Sequence, residues 1–224
     1  MASSVSSPPG LFANKRLRWA VWGAAGLLGI GAGVGVAVTR PSHNLAKMPI
    51  LGGPASTWSA GARKAPDFRL TDQNGKAVSL AAYRGRVVVL TFLDPLCRNY
   101  CPIEAARLGD VVRSLPAGAR PAILSVSVNV FGNAHRYLVQ DVRKWRVGST
   151  FRWGVGTPKQ LAAVWKHYDI GVLDEKKKIA GVVVHNIVHT EAAYVVDVNG
   201  FERALFLWPF TAADMKTTLA GLSG

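Results

Sequence analysis

Residues 86–115 read RVVVLTFLDPLCRNYCPIEAARLGDVVRSL, and no other stretch of the chain restricts its fold as much. The apolar run Val87–Leu93 suits a central parallel strand, buried on both faces and therefore without polar alternation. Asp94-Pro95 breaks the run, and residues 102–115 continue with a helical pattern; Pro102 is tolerated in a first turn, where its missing N–H has no partner. Between strand and helix stand the chain's only two cysteines, Cys97 and Cys101. A spacing of four at a helix entrance puts both sulfurs on one face, close enough to bond each other or to share a metal. The helix N-terminus favours the thiolate, the form that attacks disulfides and ligates metals. A plain structural disulfide is the competing reading, but so short a ring removes only about 2 kcal/mol of chain entropy. The segment predicts a reactive-thiol site.

The rest of the chain supplies elements around this unit. Phe68-Arg69-Leu70 and Val78-Ser79-Leu80 flank Asn74-Gly75, a strong hairpin signal. Ala122–Val128 reads as a second central strand and His135–Val147 as a helix. Thr157 is an N-cap followed by Pro158, opening a helix to about Tyr168. Ala192–Val198 and Arg203–Trp208 are strands joined by Asn199-Gly200, and Thr211 caps a last helix. The order is a β-hairpin, then βαβα, then ββα. This predicts an α/β, thioredoxin-like fold with an N-terminal β-hairpin extension and an insertion. The domain is expected over residues 65–224. Residues 40–64, with three prolines and three glycines, read as a linker, and residues 1–14 as a disordered cytoplasmic tail.

Residues 15–39 predict a basic flank and a membrane anchor. WAVWGAAGLLGIGAGVGVAVT (19–39) carries no charge and is long enough to span a bilayer at ~20 residues. Trp19 and Trp22 fit the interfacial position, and Lys15, Arg16 and Arg18 place the N-terminus in the cytoplasm. The expected location is the cytoplasmic membrane, single-pass, with the domain outside. A signal-peptide core would be shorter, at about 7–15 residues, so an uncleaved helix is preferred. The net charge is +14, and removing Lys15, Arg16, Arg18 and Arg40 leaves +10. The basic residues are dispersed, with no helix-turn-helix, zinc-finger or aromatic-basic signature, so nucleic acid is not the expected partner. Anionic headgroups or an acidic protein partner suit a tethered domain better.

Five histidines complete the inventory. His43 falls in the linker, His167 on a helix surface and His135 at a helix start. His185 and His189 fall in VVVHNIVHTEAAYVVD (182–197), just before the third core strand, in a loop expected to pass over the N-terminus of the cysteine-bearing helix. Two thiolates and one imidazole form a soft trigonal set that accepts Cu(I), and can hold Cu(II) with an added weak ligand.

The region from about Ala65 to Gly221 resembles the SCO (SenC-type) family of membrane-anchored, thioredoxin-like copper proteins. The resemblance rests on the CxxxCP motif Cys97-Arg98-Asn99-Tyr100-Cys101-Pro102 and on His189 followed by Tyr194, Asp197 and Gly200. The segments APDFRLTDQNGKAVSL (65–80) and TPKQLAAVWKHYDI (157–170) share it. It implies copper, as Cu(I) and Cu(II), held by Cys97, Cys101 and His189, with His185 as fallback because one helical turn separates them. It also implies help in building the dinuclear copper centre of cytochrome c oxidase, whose copper-bearing subunit, or another copper client, would be the partner. Two features depart from the family pattern. Asn99 stands where Asp is frequent, and the often acidic loop after the second strand reads Val128-Asn129-Val130-Phe131-Gly132-Asn133.

The main alternative is a membrane-anchored thiol–disulfide oxidoreductase of the TlpA/ResA type. Three residues separate the cysteines instead of two, and no proline occurs from Lys159 through Trp208 to serve before the later strand. A peroxiredoxin-like peroxidase would need a T-x-x-C spacing, whereas Thr91 lies six residues before Cys97. A structural zinc site would lack its usual four protein ligands. The reading is a metallochaperone rather than an enzyme, with thiol–disulfide exchange at Cys97 and Cys101 as a related activity.

Overall fold

The computed structural model describes residues 52–222. In chain order the strands are β1 (Ser56–Thr57), β2 (Arg69–Thr71), β3 (Ala77–Ser79), β4 (Val88–Leu93), β5 (Ala122–Ser127), β6 (Phe151–Gly154), β7 (Val172–Ile179), β8 (Val182–His189), β9 (Ala192–Val196) and β10 (Glu202–Leu207). The α-helices are α1 (Tyr100–Ser114), α2 (His135–Lys144), α3 (Pro158–His167) and α4 (Ala212–Ala220). Six strands form one mixed sheet in the order β1-β10-β9-β4-β5-β6. β4, β5 and β6 run parallel, joined through α1 and α2, while β9 lies antiparallel to β4 and β10 antiparallel to β9. All six residues of β4 and all six of β5 are buried, as a strand covered on both faces requires.

Alternation along β4 divides the core. Val89 and Leu93 face Leu108 and Val111 of α1, Leu138 of α2 and Met215 and Leu219 of α4. Val88, Leu90 and Phe92 face the β2–β3 side, with Phe68, Leu70 and Val78, together with Leu161 and Val164 of α3. The β2–β3 hairpin forms around Asn74-Gly75, and β9–β10 around Asn199-Gly200, as the turn residues predict. α3 begins in a capping box: Thr157 Oγ1 accepts from the Gln160 N–H, and Gln160 Oε1 accepts from the Thr157 N–H.

Four sequence expectations need correction. The stretch read as linker to residue 64 supplies β1, which pairs with β10, and Trp58, which packs on the core beneath the Arg63 guanidinium. α1 starts at Tyr100 rather than at 102, so Cys101 is helical and Cys97 precedes the helix. β6 was not foreseen; four residues give too short a pattern to read. The insertion is a regular hairpin: β7 and β8 pair over eight residues each, from Val172 opposite His189 to Ile179 opposite Val182. Ala180 and Gly181 turn it with φ of 48° and 85°, the left-handed pair that matches strand twist. Residues 182–189 are therefore strand, not loop. The hairpin forms a two-stranded sheet of its own, rests Val172 and Ile187 on the core and leaves Leu173, Ile179, Val182, Val183 and Val184 exposed.

The expected anchor over 15–39, the tail over 1–14 and His43 lie outside the described residues. Among the described residues no helix is long and apolar enough to cross a membrane.

Candidate metal centre

Strand direction decides what meets the cysteines. The C-terminal ends of parallel β4 and β5 share one margin of the sheet, with Leu93 opposite Ser127. β9 runs the other way, so Ala193 sits opposite Thr91 and the residues just before β9 arrive at the same margin. The β4–α1 loop carries Cys97 there, the first turn of α1 carries Cys101, the last residue of β8 is His189, and the β8–β9 connection is Thr190 and Glu191. Such a margin, outside the carboxyl ends of parallel strands, is where open α/β sheets place their sites.

Both cysteines are free thiols. Cys101 is 1% exposed, and its Sγ accepts the Asp94 N–H at 3.4 Å. Cys97 is half-buried. The Cys101 thiol donates to the Cys97 sulfur, and the N–H groups of Cys101, Asn99 and Tyr100 point to it. These contacts, led by the Cys101 thiol, pull Cys97 down to about 5 against the cost of burial. Holding that proton, burial and the Cys97 charge push Cys101 strongly up. Cys97 is thus the ready nucleophile, and a metal must displace the proton on Cys101.

His189 Nδ1 lies 3.1 Å from the Thr190 carbonyl oxygen. A carbonyl can only accept, so Nδ1 carries the hydrogen and Nε2 keeps its lone pair. Nε2 lies 4.0 Å from Cys101 Sγ. Burial lowers the imidazole pKa, against opposing contributions from Thr190, Asp94 and Cys97, which favours the neutral ring a metal needs. A carboxylate oxygen of Glu191 joins them: ligand atoms of Cys101, His189 and Glu191 all lie within 4.8 Å of one another. Glu191 is raised to about 7 by burial and by the negative Cys97 sulfur. Sequence reading did not single it out. The available signal was its position two residues after His189, since alternate residues of an extended segment share a face.

His185 is placed elsewhere. Its Nδ1 pairs with Asp174 Oδ2 at 2.8 Å, and its ring lies on Phe131 with centroids 4.0 Å apart. The expectation that His185 and His189 exchange by one helical turn fails because the segment is extended; four residues of strand span about 13 Å. Below the thiols, buried Glu104 and the Ala192 carbonyl both bond Thr91 Oγ1. Burial pushes Glu104 up to about 8.

The loop after β5 closes the site from the side. A Cβ at Gly132 would lie 2.6 Å from Pro95 Cγ and 2.9 Å from Leu96 Cγ, so the loop packs directly on the approach to Cys97. The two asparagines that stand there are tied up within the loop, one to its backbone and one to a serine hydroxyl. Asn129 Oδ1 accepts from the Phe131 N–H, and Asn133 Oδ1 accepts from Ser127 Oγ. His135 heads α2 and His167 ends α3, both away from the thiols.

Residues 57–222 match the family model described as SCO1/SenC. The human and bovine proteins named "Protein SCO2 homolog, mitochondrial" are 31% identical over 144 residues and 30% identical over 145 residues. Each match covers 60% of this chain and 50% of the relative, so the chain spans about half the length of the curated relatives it matches. Among solved structures it is similar to Bradyrhizobium japonicum ScoI with copper bound, with TM-score 0.62 and 21% identity over 71% of this chain and 99% of that one. Yeast Sco1 with copper bound gives 0.61 and 14% over 71% and 87%. BsSco, described as a member of the Sco family of cytochrome c oxidase assembly proteins with a disulfide switch, gives 0.57 and 17% over 76% and 98%. At these identities the likeness is one of fold, and it bears out the mixed α/β, thioredoxin-like architecture.

Proposed function

Because the chain belongs to the SCO1/SenC family, we propose that its domain is a copper metallochaperone that holds the ion between Cys97, Cys101 and His189. The observation that carries this is the meeting of Cys101 Sγ with the unprotonated Nε2 of His189 at 4.0 Å, beside a second free thiol. Two thiolates and a neutral imidazole are soft and borderline donors, the chemistry that selects Cu(I) and tolerates Cu(II). Copper is cargo here. Its arrival displaces the proton shared by the two sulfurs, and the low Cys97 pKa means that only the Cys101 proton is held at neutral pH. Oxidation of the pair to a disulfide removes both sulfur ligands, so loading requires the reduced state.

The proposed client is the copper-bearing subunit of cytochrome c oxidase, assisted in assembling its dinuclear centre. Copper-bound and oxidase-assembly descriptions attach to structures of the same fold. The uncharged segment 19–39 is the proposed anchor, holding the domain outside the cytoplasmic membrane. A second reading, thiol–disulfide exchange with partner cysteines, is favoured by one observation: Cys97 is half-exposed and ionised at neutral pH.

Anaerobic Cu(I) competition on the reduced chain tests the site. One copper per chain is expected, lost in Cys97→Ser and in Cys101→Ser. His189→Ala is expected to weaken Cu(II) more than Cu(I), because two thiolates hold Cu(I) without it. Wild-type binding in both cysteine variants would overturn the proposal. Disulfide exchange with a reporter, without copper uptake, would select the second reading.

A further inference from the structure

Glu191 brings a hard oxygen into a centre otherwise built of sulfur and nitrogen. Its carboxylate lies within 4.8 Å of both Cys101 Sγ and the His189 ring nitrogen. Its backbone carbonyl accepts the Trp208 N–H at 3.0 Å, which fixes the chain at the head of β9. Its side chain has no hydrogen bond or ion pair among the described residues, so the carboxylate has no structural partner to leave. Asp94 is nearby but committed, because its Oδ1 accepts the Leu96 N–H at 2.7 Å. The loop after β5 contributes neutral Asn129 and Asn133, whose oxygens are taken by the Phe131 N–H and the Ser127 hydroxyl.

We infer that Glu191 is a fourth ligand, completing with Cys97, Cys101 and His189 a site that retains copper as Cu(II) as well as Cu(I). The inference rests on the copper reading above and adds the residue that governs oxidation state. Cu(I) is satisfied by soft donors in low coordination, whereas Cu(II) takes tetragonal sets that include oxygen. A third negative charge also favours the more highly charged ion. The end of β8 and its connection to β9 are built to deliver the pair, since His189 and Glu191 flank Thr190 and alternate residues of extended chain share a face.

The test uses the full chain, reduced, with Cu(II) and Cu(I) as separate probes. Glu191→Gln keeps the shape and removes the charge; Glu191→Ala removes the donor. Outer-shell partners alone cost about 10–100-fold in metal affinity, so both variants are expected to lose at least about tenfold in Cu(II) affinity. Cu(I) affinity is expected to stay unchanged, and the copper hyperfine splitting in the paramagnetic resonance spectrum of the Cu(II) form to shift. Glu175→Gln, on exposed β7, is the control that changes neither. Wild-type Cu(II) affinity and spectrum in both Glu191 variants, with copper still bound, would overturn the assignment while leaving the metallochaperone reading intact. Absence of copper binding by the wild-type chain would overturn both.

Discussion

Replacing Glu104 by glutamine should make the domain more stable at about pH 8 and leave it nearly unchanged at about pH 4.5. The side chain is 1% exposed, and its carboxyl is pushed up to about 8, chiefly by burial, with the Thr91 hydroxyl opposing and the Glu191 and Cys97 charges adding. The hydrogen bonds agree. Thr91 Oγ1 contacts both Glu104 Oε1 and the Ala192 carbonyl, yet one hydroxyl proton serves one acceptor. A protonated Glu104 resolves this by donating to Oγ1, which then donates to Ala192. In the unfolded chain the carboxyl ionises near its ordinary 4.5, while the folded chain keeps the proton to about 8. Between those values the folded state binds more protons, so its stability falls as pH rises, by about 1.36 kcal/mol per pH unit. The stability of the neutral form is whole below 4.5 and lost by 8, a total on the order of 4–5 kcal/mol. Glutamine stays neutral throughout, and its amide donates to Thr91 as the acid does. Urea midpoints of wild type and Glu104→Gln, measured under reducing conditions between about pH 5 and pH 8, should diverge steadily in favour of the variant. A difference that stays flat across that range would refute the buried, protonated assignment.

Cys97 should alkylate with a midpoint near pH 5, the rate rising with pH and levelling by neutrality, where an ordinary thiol is still about 1–3% ionised; Cys101→Ala removes the largest cause and should move the midpoint upward, as rates of iodoacetamide labelling would report. Gly132→Ala should cost roughly 1–3 kcal/mol, because its Cβ would meet Pro95 at 2.6 Å, and a chemical denaturation curve unchanged from wild type would contradict that packing. His185→Ala should leave copper affinity at the wild-type value and lose at most about 1 kcal/mol of stability, since its Asp174 pair is partly exposed. Copper affinity should fall steadily as pH drops from neutral, because binding must displace the Cys101 proton, and more steeply below about 5, where protons also reclaim the Cys97 sulfur; a titration flat from neutral to mildly acidic pH would argue against thiolate ligation.

Much of this molecule was legible because local chemistry and tertiary structure agree. Asn74-Gly75 and Asn199-Gly200 declare their turns, Thr157-Pro158 declares a helix start, and the run Val87–Leu93 has no stable place outside a doubly covered sheet. Cys101 meets His189 because residues before a strand antiparallel to β4 must return to the C-terminal end of β4. The β7–β8 hairpin was hidden for a physical reason. Lys176–Lys178 look like a solvated run, its valines are exposed instead of alternating with a core, and Ala180-Gly181 reaches left-handed geometry without asparagine. That omission made His185 look interchangeable with His189. Glu191 was missed because a lone acid has no pattern of its own, and its spacing of two from His189 signals a shared face only once the segment is known to be extended.

The most direct test of the central claim is X-ray absorption at the copper edge of the reduced, Cu(I)-loaded chain, beside His189→Ala. The account predicts two sulfur scatterers and one imidazole in the wild type, with the imidazole signal lost in the variant. A copper shell made only of nitrogen and oxygen, or a wild-type chain that retains no copper after desalting, would contradict it.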